Sequence, residues 1–164
     1  MAIGWGRKKH ERAEQMADTI KVTGGCYCGQ ISIVGEVDSD KVMACHCTDC
    51  QKFSGAPFRA VAVMPADKVT LTGDIQEFRK TADSGNERMQ GFCGHCGSHI
   101  YAADPDKTLF MVRTGCLDQH SQLVPVKHIF GKSASGWVAD IDAASWVVGG
   151  PASDAMPAFG KSKG

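Results

Sequence analysis

CHCTDC, residues 45–50, places three thiols within six positions, and the fold has to be read outward from it. Two further pairs frame it: Cys26 and Cys28 in GGCYCG (24–29), and Cys93 and Cys96 in GFCGHCGS (91–98). In a C-x-x-C segment one tight turn brings two sulfurs to the separation that bonds of about 2.3 Å to one tetrahedral zinc require. Gly29, Gly94 and Gly97 supply the permissive backbone for such turns. A C-x-C pair on an extended segment points both side chains to one face, because the strand period is two, so this pair is also a chelator.

Pairing the two-cysteine groups gives one closed four-sulfur site, Cys26, Cys28, Cys93 and Cys96. Cys45, Cys47 and Cys50 are then three ligands with a fourth position free. Four protein ligands mark a structural zinc, and three with an exchangeable position mark a catalytic one. Spacing alone also permits a mixed arrangement in which His46, His95 or His99 is a ligand.

The rest of the composition narrows the class. With 164 residues and 43% hydrophobic content the chain is sized for one domain with an ordinary core. Lys plus Arg balance Asp plus Glu at 18 each, so no bulk charge steers it to nucleic acid or acidic lipid. Arg7, Lys8, Lys9 and Arg12 are the one basic cluster, too few for strong polyanion binding. No apolar run of membrane length occurs, and the first residues lack an apolar stretch with a small-residue cleavage site, so the expected location is cytoplasmic. There, eight cysteines, seven of them clustered, point to metal rather than disulfides.

Short apolar and β-branched runs recur between Gly, Pro, Asp and Ser clusters. Residues 30–37 (QISIVGEV) alternate with Ile31, Ile33, Gly35 and Val37 on one side, and similar runs follow at 58–64, 68–73, 75–80, 87–92, 98–102, 108–115 and 125–130. The expectation is a mostly β domain over 21–148. TDCQKFS is its one helical piece, with Thr48 placed to cap it. Residues 1–20 read as an arm or short helix, with Ala13, Met16, Ala17 and Ile20 at helical spacing, and 149–164 as a flexible tail.

GGCYCGQIS, CHCTDCQKFSGAPFRA, GFCGHCGSHI and HIFGKSASGWV, in that order over Val22 to Asp140, resemble the glutathione-dependent formaldehyde-activating enzyme family, which includes the centromere protein V-like proteins. The resemblance implies an Mss4-like fold of small antiparallel sheets organised around zinc, and two zinc ions per chain. Cys26, Cys28, Cys93 and Cys96 would hold the structural ion, and Cys45, Cys47 and Cys50 the catalytic one. It implies a carbon–sulfur lyase resembling S-(hydroxymethyl)glutathione synthase, acting on glutathione plus formaldehyde or a related thiol–aldehyde adduct. The alternative is a non-catalytic zinc-stabilised binding module for glutathione conjugates or a macromolecular partner. Cys116 matches no family motif and reads as a small buried hydrophobe.

Around the three-cysteine loop several residues have both a functional and an ordinary reading. His46 is a candidate base or a histidine facing away from the metal; Asp49 orients the loop or lies on the surface. Ser54, Gly55 and Ala56 admit a ligand or form a plain turn, and Phe53 and Phe58 wall a pocket or pack in the core. Arg59 and Arg113 offer bidentate grips for a carboxylate or are surface cations; His128 and Trp137 are expected to pack and hydrogen-bond in the core.

Overall fold

A computed structural model of the chain describes residues 17–81 and 85–156. The basic cluster and most of the expected N-terminal arm lie outside the described residues, as does the tail from 157. The strands are β1 (Thr19–Gly25), β2 (Ser32–Asp38), β3 (Val42–Cys45), β4 (Arg59–Pro65), β5 (Val69–Thr72), β6 (Ile75–Thr81), β7 (Glu87–Cys93), β8 (His99–Ala103), β9 (Leu109–Arg113) and β10 (Lys127–Ile129). They form a three-stranded sheet, β1-β2-β5, and a seven-stranded sheet, β10-β3-β4-β9-β8-β7-β6. Pairing is antiparallel except between β10 and β3, which run parallel. The mostly β, Mss4-like expectation is met, with the larger sheet mixed rather than purely antiparallel.

The alternation read in QISIVGEV holds, since Ile31, Ile33 and Val37 are fully buried. They join Val22, Val42, Ala62, Met64, Ile100, Tyr101, Val112 and Leu117 in a single core between the sheets. Gly91 stands directly opposite Tyr101, and a Cβ there would lie 2.4 Å from the ring, so the glycine is what lets the aromatic lie flat across β7. Ile20 is not helical: it lies in β1 opposite Val37, because strand pairing outweighs the local helical spacing.

Helix α1 (Thr48–Ser54) forms where expected. Its N-cap is Cys47 rather than Thr48: the Cys47 sulfur accepts the Cys50 N–H, and Gly55 ends the helix in the left-handed region at φ 62°. After β10 the chain continues in short 3-10 turns, Gly131–Ser133 and Gly136–Ala143, to an isolated bridge between Val147 and Ala155. No helix among the described residues is long and apolar enough to cross a membrane.

Candidate metal centres and the adjoining cavity

The β1–β2 and β7–β8 connections each end in a cysteine turn. In the first, Cys26 accepts the Gly29 N–H and donates to Ile31, and Gly29 takes φ 80°. Cys26 and Cys28 therefore sit in a turn, not on the extended segment expected, with Tyr27 thrown out to solvent between them. In the second, Cys93 accepts the Gly97 N–H and donates to Ser98, with Gly97 at φ 75°. The four sulfurs lie within 4.8 Å of one another, with Cys26–Cys28 at 3.5 Å and Cys28–Cys93 at 3.7 Å. Sulfurs bonded at about 2.3 Å to one tetrahedral ion stand about 3.8 Å apart, so this set fits a metal ion.

The other three sulfurs also gather within 4.8 Å. Cys45 closes β3, Cys47 caps α1 and Cys50 lies in its first turn, with Cys45–Cys47 at 3.5 Å. No histidine or carboxylate joins either group among the described residues, so His46, His95 and His99 stand apart from both sulfur clusters. The thiols of the smaller group are electrically inequivalent. A hydrogen bond with Cys45 pulls Cys50 down to about 5 against the opposing effect of burial, assisted by Arg59, while the same contact raises Cys45. Such a set shares protons that a divalent cation would release. The two groups can hold metal ions.

Neighbours of the small group depart from their sequence readings in several ways. His46 is buried at 2% exposure and bonded at 2.9 Å to His128 through ring nitrogens, with its ring stacked on His128 and tilted against Phe58. Asp49 forms an ion pair with Lys80, tying α1 to β6 instead of bonding backbone N–H groups. Trp137 is 56% exposed and His128 lies at the surface, so neither belongs to the core. Phe53 contacts Phe78 and His99, while Ser54 bonds back to the Cys50 carbonyl at 2.7 Å. Cys116 joins neither group; half-buried against the core, it donates to the His99 carbonyl.

The largest correction concerns the arginines. Arg59 and Arg113 are each only 7% exposed. Strand register explains why: Arg59 stands opposite Cys45 on β3, and Arg113 opposite Val61, two residues along β4 from Arg59. All four therefore share one face of the larger sheet. Arg59 donates to Cys50 Sγ at 2.9 Å and to Gln90 Oε1 at 2.9 Å, and Arg113 reaches the same Oε1 at 3.2 Å. Gln90, buried on β7, escaped the sequence reading; its only signal is a place in the alternation of ERMQGF. A cavity of about 480 Å³ adjoins them, lined by Ser54, Phe58, Arg59, His99, Arg113 and Thr114 among others.

Burial first, then the charges of Arg113 and Arg59, lowers the His99 pKa, so this imidazole is neutral near pH 7. An NMR titration is expected to place its midpoint below the roughly 6.5 of an unperturbed histidine; a midpoint at or above that value contradicts its place beside two cations. As pH falls, the unfolded chain takes up this proton before the folded one. The residue's contribution to stability, full above about 6.5, is accordingly lost between there and the folded midpoint.

Comparisons with known proteins point the same way. The family model described as glutathione-dependent formaldehyde-activating enzyme matches residues 21–133. A Talaromyces marneffei protein named for that activity is 32% identical over 78 residues, covering 46% of this chain and 41% of its own length. An uncharacterised lyase of Schizosaccharomyces pombe is 28% identical over 80 residues, 49% of this chain and 56% of its own. The chain thus spans about half the length of these curated relatives. In fold it is similar to the crystal structure of a Rhodobacter sphaeroides protein, with TM-score 0.51 and 16% identity over 65% of this chain and 98% of that one.

Proposed function

The chain belongs to the glutathione-dependent formaldehyde-activating enzyme family, and on that premise we propose that it is a zinc-dependent carbon–sulfur lyase. Its substrates are a small thiol, glutathione foremost, and formaldehyde or a related aldehyde. Cys45, Cys47 and Cys50 are the ligands of the catalytic zinc, and Cys26, Cys28, Cys93 and Cys96 those of a structural one. The observation that supports this most is the count: the second group stops at three sulfurs, with no histidine, further cysteine or carboxylate beside them among the described residues. The setting it requires is a reducing one such as the cytoplasm, where these thiols stay available to metal.

Cys45, Cys47 and Cys50 would hold the ion in a site of one net negative charge, which would supply a weak activator of water but would favour the thiolate form of a substrate thiol. In the overall change the thiol sulfur forms a bond to the aldehyde carbon, and the thiol proton ends on the former carbonyl oxygen. The reverse change breaks that bond and restores both partners. The chain's own contributions are positional. Arg59 draws off part of the charge on Cys50 and fixes it against β4. Cys47 holds α1 in register with the ligand loop. Phe58 and Ser54 border the adjoining cavity.

Exchange spectroscopy by NMR on mixed formaldehyde and glutathione tests the reading, because the adduct also forms spontaneously. Zinc-loaded protein is expected to raise the exchange rate between free thiol and hydroxymethyl thioether, and chelation to return it to background. A rate unchanged by the loaded protein rejects lyase activity.

A further inference from the structure

Arg59 and Arg113 are an arrangement that stability alone does not explain. Each guanidinium has about five N–H donors, yet each makes only two hydrogen bonds, and both leave a buried Nε–H with no acceptor. Their one shared acceptor is the neutral Gln90 amide oxygen, which holds two like charges side by side. Among the described residues no carboxylate pairs with either. Burying a charge without its counter-ion is costly, and two adjacent cations compound the cost. Both residues line the same cavity, about 480 Å³ in volume, with the Ser54 hydroxyl and neutral His99 on its wall.

We infer that this cavity is an anion site in which Arg59 and Arg113 together grip a carboxylate of the thiol substrate. The inference rests on the metal reading only for the substrate's other end. Three thiolates and a dication leave one negative charge, which Arg59 already meets through Cys50; the Arg113 charge then remains uncompensated until an anion enters. The guanidinium fork matches the two oxygens of a carboxylate. Because Arg59 touches Cys50 as well as the cavity, the anion would sit one side chain from the three-sulfur group. This makes short mercapto-acids the minimal substrate class, and glutathione a larger member of it.

Calorimetric titration of the zinc-loaded full chain with 3-mercaptopropionate, 2-mercaptoethanol and propionate tests this. Wild-type protein is expected to bind the mercapto-acid about 10- to 100-fold more tightly than the mercapto-alcohol, with the preference shrinking as salt is raised. Arg113→Gln is expected to erase the preference while keeping the affinity for 2-mercaptoethanol. If 2-mercaptoethanol does not bind but propionate does, and Arg113→Gln abolishes propionate binding, the anion site stands and the metal reading falls. Equal affinity of wild type for the two thiols, or a preference that survives in Arg113→Gln, overturns the anion site. Should the variant not fold, wild-type protein saturated with 2-mercaptoethanol is titrated with propionate: binding keeps the anion site, and its absence overturns it.

Discussion

Cys96→Ser is expected to depress the melting temperature by about 10–20 °C or abolish the cooperative melt, and to reduce bound zinc from two ions to one. The magnitude follows from how much a structural zinc contributes. Apparent binding energies of about 10–16 kcal/mol are found for small zinc domains, against total stabilities of about 5–15 kcal/mol. Even a loss of 4–5 kcal/mol moves the midpoint by 10 °C or more in a domain of this size. Cys96 is the better probe than Cys93. Cys93 is 1% exposed and part of the apolar core, so a hydroxyl there adds its own burial penalty, whereas Cys96 is only half-buried. The four sulfurs also come from different sheets: Cys26 and Cys28 follow β1 of the smaller, while Cys93 and Cys96 join β7 to β8 of the larger. Loss of the proposed ion is therefore expected to loosen the seam between the sheets, not one loop.

Cys47→Ser is expected to do the opposite, reducing lyase exchange to the uncatalysed background while the melt stays within a few degrees of wild type. Cys47 caps α1 through its sulfur, and serine is among the best N-caps, so the helix keeps its first-turn bond when the metal ligand is lost. Metal analysis should again fall from two zincs to one. Thermal melts and metal content on both variants check the division of labour: if Cys47→Ser and Cys96→Ser are equally destabilised, the distinction between structural and catalytic ions is wrong.

Much of this was legible in the sequence because turns and strands announce themselves. The β2 alternation, the short strands bounded by glycine and aspartate, and the helix at TDCQKFS all emerged from local pattern. Strand β1 escaped because TIKVTGG follows a charged stretch with helical spacing, and strand pairing with β2 is a long-range decision. Strand β3 escaped because VMAC is only four residues and merges into the cysteine loop. The thiol groups were readable because metal-ligand spacing is local within each pair. The arginine pair was not. Arg59 and Arg113 are 54 positions apart, and nothing but the β4–β9 register brings them to one buried face beside Gln90. Alternation hid it: the core phase of β4 is Ala62 and Met64, and Arg59 shares the opposite face with Val61, which is buried although it lies outside that core.

The separation of Cys28 from Cys93 along the chain, 65 residues, has a kinetic corollary. Each half of the four-sulfur cluster is a hairpin-scale chelate that can take up a cation as soon as its own turn forms, long before loop closure unites them. During synthesis the early half waits as a two-coordinate thiolate pair, open to softer competitors such as monovalent copper. If the cluster takes zinc as proposed, fidelity of loading depends on how quickly the later hairpin docks, and slow refolding in excess soft metal is expected to trap mismetallated chains that equilibrium affinities alone do not foresee.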